Sequence, residues 1–264
     1  GISRESIDAV IVTHIHLDHA GGAGKLLEDL PNATLFVHKL GAKHMIDPIK
    51  LEAGTRIVYG ERFDELFAPI VPVPEGRVEI KDEGDRYDMG HGRQLHFYDS
   101  PGHALHHFFI YDTESEGIFT GDSGGIFYRE IKEAHEVELC LPTSTPTHFD
   151  PEAMDNTFDK MLSLKPKKIY YTHFGVSDQA VSKLGECKHY MSLYRHDAVE
   201  CYKKTRSWED VANLFRVTIH KHLIGQGVPK SSQALESLEL DFTLNALGIE
   251  AYVKRLEREK KKSS

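Results

Sequence analysis

Residues 10–22 read Val-Ile-Val-Thr-His-Ile-His-Leu-Asp-His-Ala-Gly-Gly, so His14, His16, Asp18 and His19 gather three imidazoles and a carboxylate in one short stretch. Imidazole nitrogen and carboxylate oxygen are the donors that zinc, iron and manganese accept. Val10, Ile11 and Val12 form a β-branched apolar run that predicts a buried strand. The donors therefore arrive where a strand stops. Alternation along the chain puts His14 and His16 on one side, and a tight turn lets Asp18 and His19 converge from another. This spacing predicts a metal site rather than a polar loop rich in histidine.

Three later segments share one form, an apolar strand ending in a small-residue turn that offers a single donor. They are Phe97-Tyr-Asp-Ser-Pro-Gly-His103, Gly117-Ile-Phe-Thr-Gly-Asp122 and Ile169-Tyr-Tyr-Thr-His173-Phe-Gly. Each alone is a weak signal, since a histidine after a Pro-Gly turn is commonly a surface residue. In this order behind the opening cluster they form a strong composite one. His106, His107 and His148 are candidates for a general acid, with a structural role the commoner fate of such residues. His38, His44, His189, His220 and His222 read as ordinary histidines.

The opening cluster resembles the His-x-His-x-Asp-His signature of the metallo-β-lactamase-fold superfamily, and the three later turns are similar to the positions of its remaining ligands. The resemblance covers roughly two-thirds of the chain, from the opening cluster to His173. It implies an α/β fold, the αββα sandwich, and a site for two divalent metal ions, zinc first, with iron or manganese also compatible. His14, His16 and His103 would hold one ion, Asp18, His19 and His173 the other, and Asp122 would bridge both. The implied chemistry is hydrolysis of a small ester, thioester or lactone by a metal-bridging hydroxide, two ions sharing the charge of the reaction. Asp18 would ligate and also accept a hydrogen bond from the nucleophile, a catalytic role. Within the superfamily the full ligand set is most similar to glyoxalase II-type hydrolases. Ser123, Gly124, Gly125 and Ile126 after the bridging aspartate lack the tyrosine that lactonases of acyl-homoserine carry there. The alternatives are an iron-dependent, persulfide dioxygenase-like oxidoreductase, a phosphodiesterase acting on nucleic acid, and a non-catalytic binding module.

The elements that position these residues follow from periodicity. A short helix over 24–30 ends at Pro31-Asn32, and Thr34 to His38 is a strand. Residues 39–68 read as helical, broken at Pro48 and Gly54, an excursion of the kind that forms lids or substrate walls. Short strands are expected at 78–80, 94–98, 107–111, 117–120 and 168–171, with a helix over 151–164 capped by Asp150-Pro151. From Ala180 onward the chain reads as helical. Trp208, Val211, Leu214, Phe215 and Ile219 form one apolar stripe, Leu244, Leu247, Tyr252, Val253 and Leu256 another. The basic tail after Lys254 reads as a solvated, frayed helix end. Residues 1–175 are expected to form the catalytic domain and 176–264 a helical extension packed on it. Chains resembling this family place several strands ahead of the histidine cluster, so this one reads as N-terminally truncated, with a sheet edge left incomplete and stability below that of an ordinary domain.

Composition narrows the classes. A chain of 264 residues with 40% apolar content can bury a sizeable core. Its net charge of −9 argues against a general binder of nucleic acid. Cys140, Cys187 and Cys201 are widely spaced and form no paired-cysteine motif, which sets a reducing cytoplasm as the default location. No apolar run is long enough to span a membrane. The expected partner is a small-molecule substrate, and a homo-oligomer is compatible with the sequence.

Overall fold

A computed structural model describes residues 1–144, 148–173 and 175–263. The side chains of Val58 and Ser263 lie outside the described residues, as do Pro146, Thr147 and Phe174 beside the histidine turns. The opening apolar run becomes β1 (Ala9–Ile11), followed by the short helices α1 (Leu17–Ala20) and α2 (Ala23–Glu28). Then come β2 (Thr34–His38), α3 (Ala42–Ile46), α4 (Ile49–Tyr59), α5 (Phe63–Phe67) and β3 (Val78–Lys81). The central part contains β4 (Arg86–Asp88), β5 (Gln94–Asp99), β6 (Phe108–Asp112), β7 (Gly117–Phe119), β8 (Ile126–Phe127), α6 (Arg129–His135) and β9 (Cys140–Leu141). It closes with α7 (Pro151–Ser163), β10 (Lys168–Tyr171) and β11 (Gly175–Ser177). The C-terminal part is α8 (Ala180–Ser192), a π-helical turn (Leu193–Ala198), α9 (Val199–Thr205), α10 (Trp208–Gly225) and α11 (Glu239–Ser263).

The strands make a parallel sheet in the order β1-β2-β3, a mixed sheet in the order β11-β10-β7-β6-β5-β4, and the small β8-β9 pair. Side-chain alternation sorts their residues into layers. On β2, Leu35 and Val37 pack with Leu27 and Met45 of the outer helices, whereas Phe36 turns inward. Phe36 meets Leu95, Phe97, Phe108 and Ile110 from the facing sheet. Phe109, the neighbour of Phe108, points the other way into a large cluster with Phe158, Leu184, Tyr194, Phe215, Ile249 and Val253. The layers are therefore helix, sheet, sheet, helix: an αββα sandwich in which the second sheet and the C-terminal helices share one core.

Several local expectations change in three dimensions. Gly54 does not break α4, which runs through it on an open face, whereas the break expected at Pro48 falls there, between α3 and α4. On α11 the buried face is Phe242, Ala246, Ile249 and Val253, while Leu244 is exposed, so the expected stripe is shifted. The helix stays regular to Ser263 instead of fraying. Asp150 caps α7 as expected, accepting from the N–H groups of Glu152 and Ala153. Among the described residues no helix is long and apolar enough to cross a membrane.

Arg77 joins β3 to the loop that leads into β2. Its guanidinium donates to the carbonyls of Leu27 (2.8 Å), Ala33 (3.1 and 2.5 Å) and Leu30. Removing it strands three carbonyl acceptors at a partly buried helix end. Arg77→Ala is therefore expected to lose about 2–3 kcal/mol in urea unfolding; a loss under about 0.5 kcal/mol would show that water replaces these bonds freely.

Candidate metal centre

β5, β7 and β10 run in the same direction, because β6 is antiparallel to both β5 and β7, and β10 is parallel to β7. Their C-terminal ends therefore share one edge of the mixed sheet. His103, Asp122 and His173 each follow one of those ends. β1 of the other sheet ends beside them, where the N–H of Phe108 donates to the carbonyl of Thr13 at 3.0 Å. Beyond that link His14 and His16 extend from the strand, and Asp18 and His19 stand on the single turn of α1. The seven residues expected from sequence thus come together in one place, and His19 is carried by a short helix rather than a loop.

The distances separate them into two groups. His14 Nε2 and His103 Nε2 lie 3.0 and 3.1 Å from His16 Nδ1. His19 Nε2 is 3.2 Å and His173 Nε2 3.9 Å from Asp18 Oδ2. Asp122 lies between the groups. Its Oδ2 is 3.4 Å from His103 Nε2 and 4.0 Å from His14 Nε2, and its Oδ1 is 3.4 Å from both His19 Nε2 and His173 Nε2. Donors of one tetrahedral ion with bonds of about 2.0–2.1 Å stand about 3.3 Å apart, so this spacing fits metal donors. Buried polar atoms agree with that fit. His19 Nε2 and Asp122 Oδ1 are buried without a hydrogen-bond partner among the described residues, a costly arrangement unless something satisfies them.

Residues that the motifs did not reveal hold this set in place. His103 Nδ1 donates to Thr143 Oγ1 at 2.6 Å, and that hydroxyl donates to the Asp122 carbonyl at 3.4 Å. His14 Nδ1 meets Thr13 Oγ1 at 3.2 Å. In both cases the outer nitrogen is engaged, which leaves the inner one as a lone-pair donor. His107 is fully buried, and its Nε2 accepts the Asp122 N–H at 3.1 Å. Its Nδ1–H then donates to Ser100 Oγ at 2.6 Å. With both nitrogens committed, His107 positions the Asp122 turn and is no general acid. Gly121 makes the turn possible: at φ +51°, an added Cβ would stand 2.4 Å from His107 Nε2. Gly102, at φ +126°, similarly lets the His103 turn lie against the backbone of Met154. Thr13 and Ser100 lie beside or within the motif segments, whereas Thr143 stands forty residues along the chain from the histidine it holds.

Among the described residues the centre opens toward Asp18 and His173. The side chains of His14, His103 and Asp122 are 0%, 3% and 7% exposed, against 27% for His173 and 47% for Asp18. Tyr59, at the end of α4, has its hydroxyl pKa raised by burial first and by the Asp18 charge second.

A family model described as the metallo-beta-lactamase superfamily matches residues 1–173. A metallo-beta-lactamase fold-containing protein of Sulfurisphaera tokodaii is 25% identical over 175 residues, 65% of this chain and 62% of that protein. An anaerobic nitric oxide reductase flavorubredoxin of Aeromonas salmonicida is 23% identical over 83% of this chain and 36% of its own length. A hydroxyacylglutathione hydrolase of the same species is 27% identical over 49% of this chain and 41% of its own. This chain therefore spans between about a third and two-thirds of these relatives. Among solved structures, a metallo-beta-lactamase family protein from Thermus thermophilus superposes with a TM-score of 0.62 at 16% identity, covering 97% of this chain and 77% of that one.

Charge in the centre is divided unevenly. Burial first, and crowding by other imidazoles second, hold His14, His16 and His107 well below the usual histidine range. Burial also lowers His103 and takes His106 down to about 4, so neither is a proton donor at neutral pH. Against burial, Asp122 and Asp18 lift His19 to about 10, and the Asp122 carboxylate 3.4 Å away raises His173. The five lowered histidines accept protons only on unfolding once the pH drops below about 6.5. Their contribution to stability is lost as the pH falls, while that of His19 and His173 is retained there and lost on the alkaline side. Five outweigh two, so the melting temperature in chelator is expected to drop between pH 7 and pH 5. A flat or rising value over that interval would contradict the neutral state of the buried imidazoles.

Proposed function

The chain belongs to the metallo-beta-lactamase superfamily, and we propose that it is a hydrolase that uses two divalent metal ions to cleave a small ester, thioester or lactone. The division of Asp122 carries this reading: one carboxylate oxygen faces His103 and His14, the other His19 and His173. A group with two oxygens aimed at two separate donor sets is what a shared ligand requires. His14, His16 and His103 would hold one ion, and Asp18, His19 and His173 the other. Bound there, two such ions supply Lewis-acid polarisation of an acyl oxygen and water acidic enough to attack near neutral pH. Asp18 is the most exposed carboxylate of the set, and on the open side it orients the incoming water by accepting its hydrogen bond. The buried imidazoles exclude bulk water from the opposite side, which strengthens the electrostatics at the acyl oxygen. The name of the Aeromonas hydroxyacylglutathione hydrolase supports a thioester among the substrates. Zinc is proposed first, although nitrogen and oxygen donors of this type also take iron or manganese.

A second reading, iron-dependent oxidoreduction, draws on the flavorubredoxin relative. Elemental analysis and an activity panel separate the two. The hydrolase is expected to carry about two divalent ions per chain and to turn over an ester, thioester or lactone. Iron together with oxygen consumption and no hydrolysis would favour the second reading. Asp122→Ala is expected to release at least one ion and to abolish turnover; a variant that kept both ions and full activity would overturn the assignment of the site.

A further inference from the structure

We propose that Cys140 and Cys187 are a redox-modification site, a dithiol that closes to a disulfide and thereby loosens the turn of Asp122. Cys140 stands on β9, and Cys187 lies on the buried face of α8 with Leu184 and Met191. Their spacing in the chain does not pair them, but the fold brings both sulfurs to Gly125. A Cβ built on Gly125 would lie 2.6 Å from Cys187 Sγ and 2.9 Å from Cys140 Sγ. Both sulfurs thus border one small space, which only a glycine leaves free. Two atoms so placed are separated by no more than those two distances together. Side-chain rotation and a shift of α8 on β9 then bring them to a bond of about 2.05 Å.

One peptide unit connects this pair to the metal centre. Cys140 Sγ donates to the Gly124 carbonyl at 3.3 Å, and Gly124 ends the short turn Gly121–Gly124 that carries Asp122. The N–H of the same peptide, on Gly125, donates to the Asp122 carbonyl at 3.0 Å. The unit therefore takes a bond from the thiol on one side and gives one to Asp122 on the other. A disulfide has no S–H. Closure leaves the buried carbonyl without that donor and frees the peptide that steadies Asp122.

Both thiols are fully buried. Burial first, and the neighbouring Cys140 second, hold Cys187 well above the usual thiol range. Thiols in such surroundings react slowly, so closure follows a local opening of α8, and burial then shields the bond from reductant. The oxidant is a low-molecular-weight disulfide. The sulfur of one cysteine attacks it and expels a small thiolate, and the second cysteine attacks the mixed disulfide and expels the other. The two cysteines give up two protons and two electrons, and the small disulfide leaves as two thiols.

The test uses Cys201→Ala, in which the pair supplies the only thiols. Zinc-loaded protein is incubated with glutathione disulfide, and its thiols are then counted in denaturant. Both are expected to disappear with no glutathione attached to the chain, and digestion is expected to yield a linked Cys140–Cys187 peptide. The oxidised form is expected to lose zinc to a chelator about 2–5-fold faster, the worth of one weak hydrogen bond, and dithiothreitol is expected to reverse this. Cys140→Ala, which removes the same donor without forming a bond, is expected to show the faster release untreated. Two surviving thiols, or glutathione carried on either cysteine, would overturn the disulfide. A linked pair with unchanged zinc release would overturn its hold on the Asp122 turn. Thiols and zinc are the readouts, so either failure is distinct from a failure to hydrolyse esters.

Discussion

A carboxylate buried among imidazoles is the constraint that the rest of the molecule serves. Removing a charge from water is expensive unless it is paired, and Asp122 is nearly sequestered. Its carboxyl is nonetheless held well below the usual range: burial pushes it up, but His103, His173, His19 and His14 outweigh burial. The imidazoles cannot all carry the compensating charge. Burial first, and crowding second, keep His14, His16 and His103 neutral, with lone pairs facing inward. His19 alone is raised far enough to carry a compensating charge, and a multivalent cation is the species that takes up the two carboxylates and the neutral nitrogen donors at once.

The sandwich provides the alignment this requires. Strands that run in the same direction release their chains at one edge, and each chain turns through small residues before offering its donor. The turns gain precision from groups outside the donor set. His107 fixes the backbone N–H of Asp122, and Thr143 ties His103 to the carbonyl of the same residue. Thr143 in turn precedes Ser144, which is fastened to α11 through Asn245. The C-terminal helices are thereby coupled to the geometry of His103 through hydrogen bonds on two successive residues, Thr143 and Ser144.

What could be read from sequence was local. Histidine and aspartate types, small-residue turns and β-branched runs sit within a few residues of each other, so the donor set and the principal strands were legible. β8 and β9 span two residues each, too few for any period to register. The face of α11 was misjudged because Leu244 is apolar yet exposed, whereas Asn245 is polar yet buried against Ser144. Polarity alone could not rank them; the partner decides. The same holds for His107, whose two nitrogens meet Asp122, Ser100 and Ser123 only once β5, β6 and β7 are in register, and for Arg77, whose carbonyl partners lie more than forty residues away.

The two halves of the centre are built unequally, and that has a chemical consequence. His14 and His103 are buried and braced by threonine hydroxyls, so their nitrogens are already oriented before any ion arrives. The other half includes Asp18 and His173, both open to solvent. Preorganised, water-excluded donors release an ion slowly, whereas an exposed carboxylate exchanges readily with water. If both halves are loaded, graded chelation should therefore remove one ion per chain first and leave the second until stronger chelator is applied. Asp18→Asn should hasten only the early loss, and Thr143→Val, which unbraces His103, should hasten the late one. Simultaneous loss of both ions at every chelator strength would mean that Asp122 couples the halves more tightly than their separate surroundings divide them.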